Sequence, residues 1–110
     1  MNKFKKKFEK IEYFSEEMLQ AQEKLEATIL GEILIQSDSI YAVASEMKPE
    51  LFTNEKYQII CNALITLFKE NLTVDLLTVT KKIMALGQLE EVGGVMTISN
   101  LTLSVATSAN

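Results

Sequence analysis

An all-α fold follows from three features of the sequence. Apolar residues recur at steps of three and four along most of its length, only one Pro and four Gly interrupt 110 residues, and a 47% apolar fraction is enough for one packed domain. Helices joined by short connections then make a compact bundle of about five to six helices.

The elements read in order as follows. From Phe4 to Gln22, Phe4, Phe8, Ile11, Phe14 and Met18 fall at steps of four, three, three and four. They form one stripe on an amphipathic helix, with Lys5, Lys6, Glu9, Glu12, Glu16 and Glu17 mostly off it. Leu25, Ile29, Leu30, Ile33 and Leu34 set the core-facing rhythm of the next helix. Gly31 interrupts that rhythm at a propensity cost of about 1 kcal/mol relative to Ala, so close approach of a second helix is expected there. Gln36-Ser37-Asp38-Ser39 is expected to end that helix and cap the following one, whose short stripe is Ile40, Val43, Ala44 and Met47. Pro49 stops it, because the residue before a proline is pushed out of helical angles.

Leu51 and Phe52 make an apolar pair in the next turn, and Thr53 is the expected N-cap of the longest helix, through about Lys69. Its inward positions read Tyr57, Ile60, Cys61, Leu64, Ile65 and Phe68. Asn71 suits a left-handed closing residue, Asp75 caps a further helix through Leu86, and Gly87 stands at its stop position. A loop from Leu89 to Gly94 leads to a last element, Val95 to Leu103. It is read as helix although its β-branched residues favour strand.

Composition excludes several classes of function. With no His and one Cys, neither a disulfide scaffold, nor a zinc site of ordinary ligands, nor a His-dependent catalytic triad can be built. No apolar run approaches the length of a membrane span, and the basic N-terminus lacks the apolar stretch of a secretion signal. A cytoplasmic location is the expectation. Five Lys against Glu9 give the first ten residues +4, which leaves −8 for the other hundred, and there is no Arg. Nucleic-acid readers use Arg forks on a basic face, so an acidic body argues against sequence-specific DNA recognition. Lys3, Lys5, Lys6 and Lys7 remain candidates for weak, non-specific phosphate contacts.

Few single residues invite a chemical role. Cys61 has no His to activate it and lies on an apolar stripe, so it reads as a buried small hydrophobe. Gly93-Gly94 lacks the Lys and hydroxyl of a phosphate-cradling loop and reads as a turn between packed helices. Tyr57, Phe52 and Phe68 read as core rather than base-stacking platforms. The candidate protein-interface residues are the stripe Phe4, Phe8, Ile11, Phe14 and Met18, together with Glu90 and Glu91, which are placed to pair with Lys on a partner.

Several segments, in order and with consistent spacing, carry a family resemblance. They are Glu26-Ala27-Thr28-Ile29-Leu30-Gly31, Pro49-Glu50-Leu51-Phe52, Tyr57-Gln58-Ile59-Ile60, Val74-Asp75-Leu76-Leu77-Thr78-Val79 and Gly87-Gln88-Leu89-Glu90-Glu91-Val92-Gly93-Gly94. The sequence from about Leu25 to Asn110 thereby resembles the N-terminal domain of the replicative DNA helicase DnaB family. Residues before about Gln22 do not follow the pattern. The organisation read from it is an N-terminal amphipathic, basic extension over 1–22 and a helical domain over 23–110.

The resemblance implies a non-catalytic interaction and oligomerisation domain: part of a hexameric helicase's collar, and a docking site for primase or a helicase loader during DNA replication. Self, primase and loader are the implied partners, DNA is touched only weakly, and no membrane is involved. ATP and Mg belong to the ATPase domain of the longer family members, and no cofactor is expected in this piece. The alternative readings are a single-stranded nucleic-acid-binding module and a free-standing replication regulator related to the collar domain. Removing residues 1–20 tests the N-terminal stripe: a docking role predicts a lower oligomeric mass or melting temperature, and no change in either measurement removes that role.

Overall fold

The computed structural model describes residues 15–108. Among these there are five α-helices and no strand: α1 (Ser15–Ile35), α2 (Ile40–Val43), α3 (Glu55–Lys69), α4 (Leu76–Ala85) and α5 (Gly94–Ser108). Two 3-10 turns, Ser37–Ser39 and Pro49–Leu51, join them. The all-α bundle expected from the periodicity is the fold observed. α1 packs along α5, α3 packs along α4, and contacts of α1 with α3 and of α4 with α5 close the bundle.

The core centres on α3, where Ile60, Cys61, Ala63, Leu64 and Leu67 are all buried. Leu30, Ile33 and Leu34 of α1, Val79 and Ile83 of α4, and Ile98 and Leu101 of α5 complete it. Burying side chains of this size stabilises by about 1.5–3 kcal/mol each, which offsets the low helix propensity of the β-branched residues in α5. Packing therefore overrides the pull of Val, Ile and Thr there.

Three local expectations are corrected. α1 is one continuous helix from Ser15, and its buried side is turned from the expected phase: Leu25 is 55% exposed and Ile29 is exposed as well. The buried line instead runs through Glu26, Ala27, Leu30, Ile33 and Leu34. The expected caps at Gln36–Ser39 are absent, since neither Gln36 nor Ser39 makes a side-chain cap bond, and the chain turns through backbone bonds such as Ser39 N–H to the Gln36 carbonyl at 2.9 Å. The N-cap of α3 is Asn54, whose Oδ1 accepts the Lys56 N–H at 2.8 Å.

Thr53, displaced from capping, has a different partner. Its N–H donates to both carboxylate oxygens of Glu26, at 3.0 and 3.1 Å, and its hydroxyl donates to Oε2 at 2.8 Å. Gln22 Nε2 donates to the same oxygen at 3.1 Å. Glu26 is only 3% exposed, so its charge is accommodated by these donors and by the positive end of α3. One carboxylate thus ties α1 to the start of the central helix.

The remaining ends follow the sequence. Asp75 Oδ1 accepts the Thr78 N–H at 2.9 Å, while Thr78 Oγ1 accepts the Asp75 N–H at 2.9 Å, a reciprocal capping box. Asn71 takes φ 58° and Gly87 φ 69° after α3 and α4. Gly31 is where α1 and α5 approach: a Cβ built there meets the Leu101 carbonyl oxygen and Val105 Cγ2.

Two substitutions test these contacts. Glu26→Ala removes the acceptor of the Thr53 amide and hydroxyl, which water then reaches because Thr53 is exposed, and should cost about 1–3 kcal/mol in urea unfolding, with Glu26→Gln losing roughly half of that because it keeps an acceptor. Gly31→Ala gains about 1 kcal/mol in propensity yet forces two backbones apart, so a net loss of about 1–3 kcal/mol is expected from thermal melts. An unchanged or raised melting temperature for Gly31→Ala would show that the helices do not meet there.

Candidate protein interface

The surface of α5 is built from a sequence without a single charge. Residues 92–110 contain no Asp, Glu, Lys or Arg, and α5 spans 15 of them. Ile98 and Leu101 turn one side of the helix into the core. On the opposite side Met96 is 67% exposed and Leu103 is 61% exposed. Seven residues apart, they stack two turns from each other, with exposed Asn100 between them. A solvated helix face normally carries charges, so an uncharged one with large apolar side chains has the composition of an interface centre.

The path into α5 is set by its loop. Gly93 and Gly94 take φ 91° and 83°, which a residue with a Cβ rarely adopts, and Gly94 N–H bonds the Leu89 carbonyl at 2.8 Å. Buried Val92 anchors the loop beneath them. The turn expected at Gly93-Gly94 is the turn observed.

The expected interface residues separate on the surface. Phe4, Phe8, Ile11 and Phe14, like Lys3, Lys5, Lys6 and Lys7, lie outside the described residues. Met18 is exposed on α1 and lines up with exposed Leu25 and Ile29, seven and eleven residues further on, as a second apolar stripe. Glu90 and Glu91 are exposed in the loop between α4 and α5. Glu91 borders a polar cleft with Glu55, Asn62 and Gln88, in which the buried Gln88 Oε1 has no hydrogen-bond partner among the described residues.

Among the described residues no three potential metal-ligating side chains gather, and no helix is long and apolar enough to cross a membrane. Cys61 is fully buried, and burial, helped by the Glu50 charge, pushes its thiol up to about 12, so the reactive thiolate is disfavoured. Burial and the charges of Glu23 and Glu26 likewise raise the Tyr57 phenol. Sequence reading missed the α5 face, yet a signal for it was present: the chain is free of charge from Val92 onward.

Comparison with known proteins agrees with this architecture. Residues 18–110 match the family described as DnaB-like helicase N terminal domain. The chain is 39% identical over 87 residues to a replicative DNA helicase DnaB of Rhodothermus marinus, covering 79% of this chain and 9% of that protein. It is 33% identical over 99 residues to the Geobacillus stearothermophilus replicative DNA helicase DnaB, covering 90% of this chain and 22% of the relative. With the Bacillus subtilis replicative DNA helicase DnaC it shares 34% identity over 85 residues, 77% of this chain and 19% of the relative. The chain therefore spans less than a quarter of the length of each of these relatives. In structure it is similar to the crystal structure of the N-terminal domain of DnaB helicase from Mycobacterium tuberculosis, with TM-score 0.70 and 26% identity over 74% of this chain and 57% of that one. By sequence and fold alike, the chain belongs to the DnaB-like helicase N-terminal domain family.

Proposed function

We propose that this chain is a non-catalytic assembly module of a replicative DNA helicase, which joins its sister copies in a collar and offers a docking surface to primase or a helicase loader in the cytoplasm. The observation that carries this reading is the exposed, charge-free face of α5 around Met96 and Leu103. ATP and Mg are assigned to the motor part of the longer helicase. This chain's contribution is to bind proteins and to transform no substrate.

Electrostatics favours that face for self-association. The body beyond the first ten residues carries −8, so most ways of bringing two copies together place like charges in contact. The outer side of α5 is a surface where that repulsion has no local source. Size sets the strength of the contact. A helix of 15 residues is roughly 22 Å long and about 10 Å wide, so its face buries on the order of 450 Å² between two copies. Stable interfaces need about 1,000 Å² or more, so the isolated chain associates weakly and a ring requires contacts from the rest of the longer protein.

Sedimentation velocity from about 10 μM to about 1 mM tests this. The weight-average sedimentation coefficient should rise with concentration for the parent chain. The double substitution Met96→Glu with Leu103→Glu should abolish that rise and leave the melting temperature and helix content unchanged, since both side chains are exposed. Equal association of the variant, or a parent chain that stays monomeric at the highest concentration, would remove the α5 face from the mechanism.

A further inference from the structure

A second surface lies at the turn between α1 and α2. The Ser37–Ser39 turn separates two hollows that share Ser37 and Asp38. One, about 140 Å³, is walled by Tyr41, Phe68, Leu72 and Val74. The other, about 300 Å³, has half-exposed Ile35 as its apolar wall. Tyr41 is 75% exposed, an uncommon position for a large aromatic, and is braced edge-on against Phe68 with ring centroids 5.4 Å apart. Asp38 sits between the hollows with no hydrogen bond or ion pair to its carboxylate among the described residues, and it caps no helix. No Lys lines either hollow.

From this arrangement we propose that the turn is a docking site for an extended segment of a partner protein that carries a lysine or arginine flanked by aliphatic side chains. The aliphatic groups enter the two hollows and the cation lies over Asp38. The smaller hollow has room for one side chain: a space near 150 Å³ takes a group of about benzene's size, which matches an isobutyl side chain. The larger is an open shelf, on which a second aliphatic group can lie against Ile35. An exposed aromatic braced by a second ring is also the kind of anchor that dominates binding at protein interfaces. Charge decides between occupants. The uncompensated Asp38 repels phosphates and disfavours a second copy of this acidic body, and it selects a basic segment. In an extended chain, residues two apart point to the same side, so apolar, basic and apolar residues at alternate positions reach the surface together.

The probe is the peptide acetyl-Leu-Gly-Lys-Gly-Leu-amide, titrated into the isotopically labelled 110-residue chain and followed through backbone amide resonances. Shifts should concentrate at Ser37–Tyr41 and Leu72–Val74 and weaken when salt is raised. Replacing the peptide's lysine by glutamate should reduce affinity at least about tenfold, through loss of attraction and added repulsion. Asp38→Asn should weaken the lysine peptide about fivefold, the upper range for an exposed ion pair, and Tyr41→Ala at least about tenfold. Asp38 is exposed and unpaired among the described residues, so Asp38→Asn should melt with the parent chain, and Tyr41→Ala, which gives up its edge contact with Phe68, should keep the parent's helix content. The proposal is overturned by shifts that are absent or scattered, by equal binding of the glutamate peptide, or by an unchanged affinity of Asp38→Asn. It is also overturned if the same resonances move when the protein alone is diluted, which would make a second copy the occupant. The Met96→Glu, Leu103→Glu variant should bind the peptide like the parent chain, so failure here and failure of the α5 reading are separable.

Discussion

A single buried carboxylate holds the architecture in register. Glu26 is placed on α1 so that its oxygens receive the Thr53 amide and hydroxyl at the entrance to α3. A charge this deeply buried is tolerable only with its donors in place, so the contact admits few alternatives. It fixes the rotation of α1, and that rotation decides the rest. Leu30, Ile33 and Leu34 turn inward, Gly31 faces the Leu101 carbonyl of α5, and Met18, Leu25 and Ile29 are left on the outside. Once α1 and α5 are locked at Gly31, the outer side of α5 is determined as well. The position of the candidate interface is therefore a consequence of a polar contact on another helix.

The charge distribution gives the domain two different kinds of surface. Acidic residues are spread over the body, while the last stretch from Val92 carries none. Uncharged surface favours contact with like copies because association there brings no repulsion with it. An acidic turn with apolar hollows favours a basic segment from an unlike protein. Separating the two kinds of contact on α5 and at the α1–α2 turn lets one be occupied without displacing the other.

Much of this fold was legible in the sequence. Three- and four-residue periodicity identified the helices, Asp75 and Thr78 had the residue types for a cap, and Gly87 marked a stop that the chain observes. The ordered segments from Glu26 to Gly94 pointed to the family to which the chain belongs. Leu25 and Ile29 fit an inward stripe by spacing, but apolar spacing alone cannot set the phase of a helix that carries two candidate stripes. Thr53 has the residue type of a cap, but its hydroxyl serves in a long-range contact instead, and the Ser37–Ser39 turn closes through backbone bonds. The candidate face on α5 is marked in the sequence by charges that are missing, which apolar periodicity does not report.

Local chemistry in the chain was thus enough to specify helices, their ends and an all-α bundle, since those depend on neighbours within a few residues. Which side of α1 faces inward, where Gly31 meets α5, and which apolar residues remain in solvent were settled only by packing between segments far apart in sequence. The Glu26–Thr53 contact spans 27 residues, and no local pattern encodes the partner of a carboxylate at that distance. Burial of that charge required donors from the turn before α3, which only the folded chain brings beside α1.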